Sequence, residues 1–308
     1  MKTARKKKGK PGNTLPLMLL AIPGLVYMLI NNYIPMLGTF IAFKEFDYVK
    51  GLFGSNWIGF KNFEFLFKTA DAFVMTRNTL LYNLAFIVLG VVCSIFLAVL
   101  MSELTGMFCS KVYQAGLILP NLISMVIVSY IVYAFLNADN GFINLSILKP
   151  LGLAEVNWYS EASRWPFILT IVQLWKTAGY GSIVYIAFIA GIDKGIYESA
   201  KIDGAGKLRQ IFSITVPLLK PTIIIMVLIA IGRIFNSDFG LFYQVPMNSG
   251  PLYSTTQTID TYVYRALMQH NDMGMSSAAG LFQSIVGFLL VMTANAIVKK
   301  FNSENALF

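Results

Sequence analysis

Residues 197–221 read YESAKIDGAGKLRQIFSITVPLLKP, and their setting between two apolar runs decides the fold. With Asp193 and Lys194 just upstream, this segment carries five basic and three acidic side chains. An apolar run at 167–190 precedes it and another at 222–242 follows. A helix needs about 20 apolar residues to cross a ~30 Å hydrocarbon core. Both runs reach that length, as do 18–40, 79–102, 113–136 and 276–298. The charged stretch therefore reads as a connection between spans. The expected fold is an all-α integral membrane protein with six transmembrane helices.

Composition agrees. The 308 residues are 56% hydrophobic and 13% charged, with a mean hydropathy of +0.64. Soluble domains carry about 25% charged residues. The first run is the least regular, because INNYIPM interrupts it at Asn31, Asn32 and Pro35. Spanning helices tolerate such residues where neighbours or water satisfy the backbone. A basic start followed by an apolar run also fits a signal peptide, but no A-x-A-like site follows and the run exceeds signal length. A retained first helix is expected.

Charge sets the orientation. The opening MKTARKKKGK holds six basic residues and no acidic one. With that end inside, the inner segments carry fourteen basic against five acidic residues. The outer loops 41–78, 137–166 and 243–275 carry eight against nine. Lysine and arginine favour the cytoplasmic side, so both termini are expected there. The net charge of +9 is then a topology signal. No basic groove interleaved with aromatics suggests nucleic acid.

One membrane domain, 18–298, is expected between a basic cytoplasmic tail, 1–17, and a cytoplasmic tail, 299–308. Loop 41–78 is rich in aromatics beside scattered charges and suits a short interfacial helix. In the last outer loop, Ile259–Met268 turns helix-like and Asn271–Gly274 ends it. The small residues Ser276, Ser277, Ala278, Ala279 and Gly280 allow close helix packing.

Catalytic signatures are missing. His270 has no nearby cysteine and no convincing metal partner, and Cys93 and Cys109 form neither a disulfide framework nor a metal spacing. There is no H-E-x-x-H and no G-x-S-x-G motif. The DGAGK stretch fails as a phosphate loop, since Lys201 stands where the first glycine belongs and Leu208 follows Lys207. No catalytic residue, metal or cofactor is assigned to this chain.

Polar residues inside spans say more. Lys176 falls near the middle of the fourth run and Arg233 near the middle of the fifth, followed by Asn236, Ser237 and Asp238. A charge at bilayer centre is costly, so it faces the bundle interior, a partner or an aqueous path. The candidate translocation-path residues are Gln173, Trp175, Lys176, Tyr180, Arg233, Asn236, Asp238 and Tyr243. Arg233 or Lys176 would suit a cargo carboxylate; structural pairing and snorkelling explain the same residues and stay open. Arg233 and Asp238 are five apart and share no ideal helical face.

At the start of the opening stretch and just upstream of it, Ile196, Tyr197 and Ala200 make a small apolar patch on one helix. Gly204 supplies a permissive turn, and Asp203 is expected to cap the next helix. Leu208, Ile211, Phe212 and Thr215 then recur at helical spacing. Pro217 and Pro221 are expected to form a rigid elbow into the fifth span. By composition the segment suits either an interfacial anchor or a projection into the cytosol.

The pattern resembles the EAA loop of ATP-binding-cassette importer permeases, close to E-A-A-x-x-D-G-A with I-x-x-P downstream. Glu198, Ala200, Asp203, Gly204 and Ala205 match, with Ile214 and Pro217 in order, while Ser199 replaces the first alanine of the pair. Most of the chain resembles the carbohydrate-import branch and its LplB-like oligosaccharide and aldouronate-type group. Stretches such as NTLPLMLLAIPGLVYMLINNYIPMLG, NWIGFKNFEFLF and FNSDFGLFYQVPMNSGPLY carry that likeness.

The resemblance implies a type I importer permease fold. It also implies an ATPase-coupling loop at about 192–221 comprising Tyr197, Glu198, Ala200, Asp203, Gly204, Ala205, Ile214 and Pro217. ATP and magnesium would bind a separate cytoplasmic ATPase dimer. A second related permease and an extracellular, lipid-anchored solute-binding protein would complete the assembly, with an oligosaccharide as cargo. The competing reading is a self-contained secondary transporter, for which Asp238 is the evident intramembrane acid. A membrane scaffold or enzyme explains less of the loop's spacing.

Overall fold

The structure, a computed structural model, describes residues 14–104 and 107–301. Most of the two tails expected at 1–17 and 299–308 lies outside the described residues. Helix α1 begins at Thr14–Met28, then passes through a wide turn at Leu29–Tyr33 and a tighter one at Leu37–Phe43. The wide turn holds Asn31 and Asn32, and it ends two residues before Pro35. A widened turn ahead of a proline makes room for its ring without ending the helix.

Residues 44–68 form short pieces instead of the single interfacial helix expected there. Lys44–Glu45 (β1) pairs antiparallel with Asn56–Trp57 (β2), followed by helical turns at Lys61–Phe63 and Phe65–Lys68. Helix α2, Ala70–Ser102, starts at Thr69, whose side chain accepts from the Ala72 N–H. Helices α3, Met107–Leu122, and α4, Met125–Leu136, meet at a 93° bend. Pro120 lies in the last turn of α3 and Ser124 caps α4, accepting from the Ile127 N–H. The run expected at 113–136 is thus two helices sharply bent at a short break.

Helix α5, Trp165–Ala190, opens with Pro166 in its first turn and packs against α2 and α3. Gly179 permits the closest approach, because a Cβ there would collide with the Leu117 carbonyl of α3. Helix α6, Lys194–Ile202, leads into α7, Lys207–Ile231. Helix α8, Ile259–His270, ends at Asn271 in the left-handed region, as the turn residues predict. Helix α9, Met273–Phe301, packs against residues 37–43, α7 and α8. Ala278 and Ala279 are buried in that packing, consistent with the small-residue reading.

Among the described residues, four helices are long and apolar enough to cross a membrane, or five if α3 and α4 count as one bent span. They are Met18–Phe43, α2, α7 and α9. Helix α5 has 26 residues, about 39 Å at 1.5 Å per residue, yet it is not among them. Gln173, Lys176 and Thr177 dilute its apolar character, and Val172, Lys176 and Gly179 are buried along it.

The fifth span is displaced from its expected position at 222–242. The helix starts fifteen residues earlier, at Lys207, and stops at Ile231. A wide turn at Ile211–Thr215 stands just before Pro217, and Pro221 sits inside the helix. The expected proline elbow is therefore a continuous helix with one widened turn.

Candidate functional site

The first part of the site is the backbone after α7. Beyond Gly232 the helix loosens into tighter turns, with Arg233 N–H donating to the Ala230 carbonyl and Asn236 N–H to Arg233. Non-helical backbone at membrane depth survives only where protein or water satisfies it. Here three helices supply the partners. Asn83 of α2 donates through Nδ2 to the carbonyls of Ile234 and Asn236, at 2.9 and 3.0 Å. Gln283 of α9 donates to the Phe235 carbonyl at 2.7 Å. Asp260 of α8 accepts from the Ser237 N–H at 2.7 Å and the Ser237 hydroxyl at 2.6 Å. Its carboxylate also receives Gln283 Nε2 at 3.3 Å.

This collar fixes a segment whose longest polar side chains stay free of it. Arg233, Asn236 and Asp238 are exposed. Asp238 Oδ1 accepts from the Leu241 N–H at 3.1 Å, starting the next turn. No hydrogen bond or ion pair joins Arg233 to Asp238 among the described residues, as their spacing predicts. Tyr243 stacks on Phe239 with ring centroids 4.8 Å apart, and Tyr264 of α8 meets Phe239 and Tyr243 at 4.5 and 5.1 Å.

The remaining candidate path residues do not form one lining. Lys176 is buried, and its ammonium donates to the carbonyls of Pro120, Asn121 and Ile123. It thus caps the carbonyl end of α3 at the bend, where a cation suits the helix dipole. That is structural pairing, and it leaves the ammonium unavailable to a cargo carboxylate in this conformation. Gln173 and Tyr180 are seven residues apart and lie on one face, while Trp175 lies about 200° around from Gln173. Trp175 and Tyr180 are exposed, and Gln173 Oε1 is buried without a partner among the described residues.

The second part is the loop around α6. Asp193 caps the helix, its Oδ1 accepting from the Gly195 N–H at 2.9 Å. The helix ends by a bond from Ala205 N–H to the Ala200 carbonyl at 2.9 Å, with Gly204 at φ +79°. This left-handed glycine end leaves α6 projecting. Asp203 closes α6 and does not cap α7, which Gly206 precedes. Ser199, in place of alanine, returns its hydroxyl to the Gly195 carbonyl.

Contacts back to the bundle are few. The Tyr197 hydroxyl meets the Thr215 hydroxyl at 2.9 Å. Lys207 pairs with Glu103 at 2.5 Å. A cavity of about 510 Å³ separates this loop from the ends of α2 and α5. Ile196, Ile202, Leu208 and Phe212 are exposed apolar side chains. Glu198 and Asp203 are exposed, and neither side chain has a hydrogen bond or ion pair among the described residues. Ala200, Ala205 and Ile214 are half-buried, and Pro217 is exposed.

Sequence reasoning missed Asn83, Asp260 and Gln283. Asn83 and Gln283 are legible as polar residues inside apolar runs. Asp260 falls in an outer loop by sequence, and only the tertiary fold brings it to Ser237. His270 ends α8, but its side chain lies outside the described residues.

A helical bundle with a side-chain-held break after α7 and an exposed charged helix fits a membrane transport component. Residues 90–303 match the family described as the binding-protein-dependent transport system inner membrane component, and the chain belongs to that family. It is 35% identical over 288 residues to Protein LplB of Bacillus subtilis (strain 168), covering 94% of this chain and 90% of that protein. It is 34% identical over 289 residues to the same organism's polygalacturonan/rhamnogalacturonan transport system permease protein YteP, covering 94% and 89%. Among solved structures, the chain resembles a component of a bacterial alginate ABC transporter in complex with its alginate-pentasaccharide-bound periplasmic protein. That match has a TM-score of 0.83 and 31% identity over 94% of this chain and 95% of the other.

Proposed function

We propose that this chain is a permease subunit of an ATP-driven importer of oligosaccharides, coupled through α6 and its glycine turn to a separate ATPase. The observation carrying this reading is the projecting α6, whose Glu198 and Asp203 have no internal partner among the described residues. A polar helix end directed away from its own fold fits a docking surface. The cargo class follows the relatives, whose names specify polygalacturonan, rhamnogalacturonan and alginate.

In this reading the chain is not itself an enzyme: ATP and magnesium belong to a cytoplasmic ATPase dimer. The membrane domain comprises residues 18–298 with six crossings, α5 among them, and both termini lie in the cytoplasm. A second related permease completes the pathway, and a lipid-anchored extracellular binding protein delivers the sugar. ATP can shift the permease only through states that differ in their engagement with the ATPase. Glu198, Ala200 and the Asp203–Gly204 turn hold that contact, with Tyr197 tying α6 to α7 through Thr215. Arg233, Asn236, Asp238 and Tyr243 face the cargo path.

Gly204→Val tests the coupling. At φ +79° a β-branched residue is strained by about 1–2 kcal/mol, enough to shift the α6 end. Purified with its ATPase and reconstituted with the binding protein, the variant is expected to insert normally. Its cargo-stimulated ATP hydrolysis is expected to fall about tenfold or more. Unchanged stimulation would sink the docking role.

A further inference from the structure

Arg265 of α8 has no ion-pair partner among the described residues. Its Nη1 donates to Asn248 Oδ1 at 3.2 Å, and its guanidinium lies over the Tyr253 ring at 4.2 Å. Its Nη2 is cut off from solvent and donates to nothing among the described residues. The ion pairs among the described residues all lie elsewhere. Burial lowers the pKa of Arg265 from its ordinary value, while the phenols of Tyr253, Tyr243 and Tyr262 and the carboxylate of Asp71 act in the opposite direction. An arginine stays charged under such conditions, so a partly desolvated positive charge persists with no carboxylate in hydrogen-bond contact among the described residues, and Asp71 acts on it only from beyond that range. Such a group is costly unless something outside the chain completes it.

The surroundings bring aromatic and polar groups together around this guanidinium. Met247 and Asn248 both occupy the left-handed region, at φ 53° and 47°, a strained pair for residues that are not glycine. That turn brings the Asn248 side-chain oxygen to the guanidinium, where the Tyr253 hydroxyl also reaches it at 3.1 Å. Tyr264, the neighbour of Arg265 in sequence, belongs to the cluster with Phe239 and Tyr243. Those two rings rise from the turn directly after the collared segment. Aromatic faces accept the C–H faces of sugar rings, and a guanidinium fork matches a carboxylate with two parallel hydrogen bonds.

Resting on the oligosaccharide-permease reading, we propose that Arg265 is the carboxylate-recognition residue of the cargo path, so that the cargo is an acidic oligosaccharide. The sugar carboxylate takes Nη2 and displaces Asn248 Oδ1 from Nη1, which frees the strained 247–248 turn to relax. A neutral sugar's hydroxyl can accept one of these bonds but offers neither the charge nor the parallel pair of oxygens.

The test uses the complete transporter in liposomes with its binding protein and two cargoes, an oligogalacturonide and its fully methyl-esterified form. Affinity of the binding protein for each is measured separately, and every variant is compared with wild type on the same cargo. Wild type is expected to take up the acidic form. Arg265→Gln should lower that uptake about tenfold or more, the loss typical of a charge-assisted bond. Any uptake of the methyl ester should change less than about twofold. Arg265→Lys, which keeps charge without the fork, should fall between. Equal loss on both cargoes makes Arg265 structural and overturns the proposal, as does no loss on either. Wild-type uptake of the ester alone also overturns it. If wild type carries neither, nor neutral oligosaccharides, the permease reading itself fails.

Discussion

The α6 loop and the segment after α7 are both polar interruptions between apolar helices, yet they bond in opposite directions. In the loop, Glu198, Lys201 and Asp203 are exposed, and the ties to the bundle are Tyr197–Thr215 and Lys207–Glu103. In the segment, carbonyls of Ile234, Phe235 and Asn236 and the N–H of Ser237 are all taken by side chains of α2, α8 and α9. Polarity directed outward suits a surface completed by another chain. Polarity directed inward holds a backbone that has left its helix. The same residue types therefore stay free on an outer surface in one place and hold a fixed geometry in the other.

The sharpest way to break this contrast is Asp260→Asn. An amide at this position turns one acceptor into a donor: with its oxygen kept on Ser237, which uses a single carboxylate oxygen for both N–H and hydroxyl, its NH2 faces the Gln283 amide donor. An unsatisfied buried donor costs about 1–3 kcal/mol, and Gln283 loses its charged partner in the same step. The expected result is a loss of about 3 kcal/mol in thermal unfolding of the purified subunit, with uptake falling in parallel. Ser237→Ala, which keeps the backbone bond, should cost about 1 kcal/mol. If Asp260→Asn unfolds like wild type, the collar is not what holds the segment.

How legible each region is follows from the range of its interactions. The α6 loop is made locally: Asp193 caps its own helix, and Gly204 turns it within a few residues. Helix, glycine turn and second helix are readable from spacing. The collar joins positions 83, 237, 260 and 283, so no local pattern marks it. The fifth span is misplaced by hydropathy for a related reason. Apolar character continues through Phe235 and Leu241, but Gly232 and the polar run Asn236–Asp238 end the helix once other helices can satisfy the backbone. Lys176 resembles a path residue because an intramembrane charge is rare, and the bend at Ile123 that needs its ammonium is a tertiary feature. Pro217 suggests an elbow because proline blocks an ordinary helical bond, and the widened turn at Ile211–Thr215 removes that conflict.

A smaller effect is expected where the loop touches the bundle. Tyr197→Phe removes the hydroxyl contact with the buried Thr215 and leaves the ring in place. One neutral hydrogen bond is worth about 1 kcal/mol, so thermal unfolding should shift by that amount. Coupling should weaken more than stability, because α6 keeps its fold but loses a tie to α7. Cargo-stimulated ATP hydrolysis measured alongside unfolding separates the two. A stability loss without a coupling loss would make Tyr197 an ordinary packing residue.

The smallest effect belongs to Glu103→Gln. Lys207 and Glu103 meet at 2.5 Å, but their side chains are 71% and 43% exposed. Exposed pairs contribute about 0–1 kcal/mol because water and salt screen them and two long side chains must be ordered. Unfolding should change by less than about 0.5 kcal/mol, and added salt should erase the difference. A loss approaching that of Asp260→Asn would mean the loop is braced from within as firmly as the collar. The α6 surface would then no longer be waiting for a partner to complete it, and the contrast between the two regions would collapse.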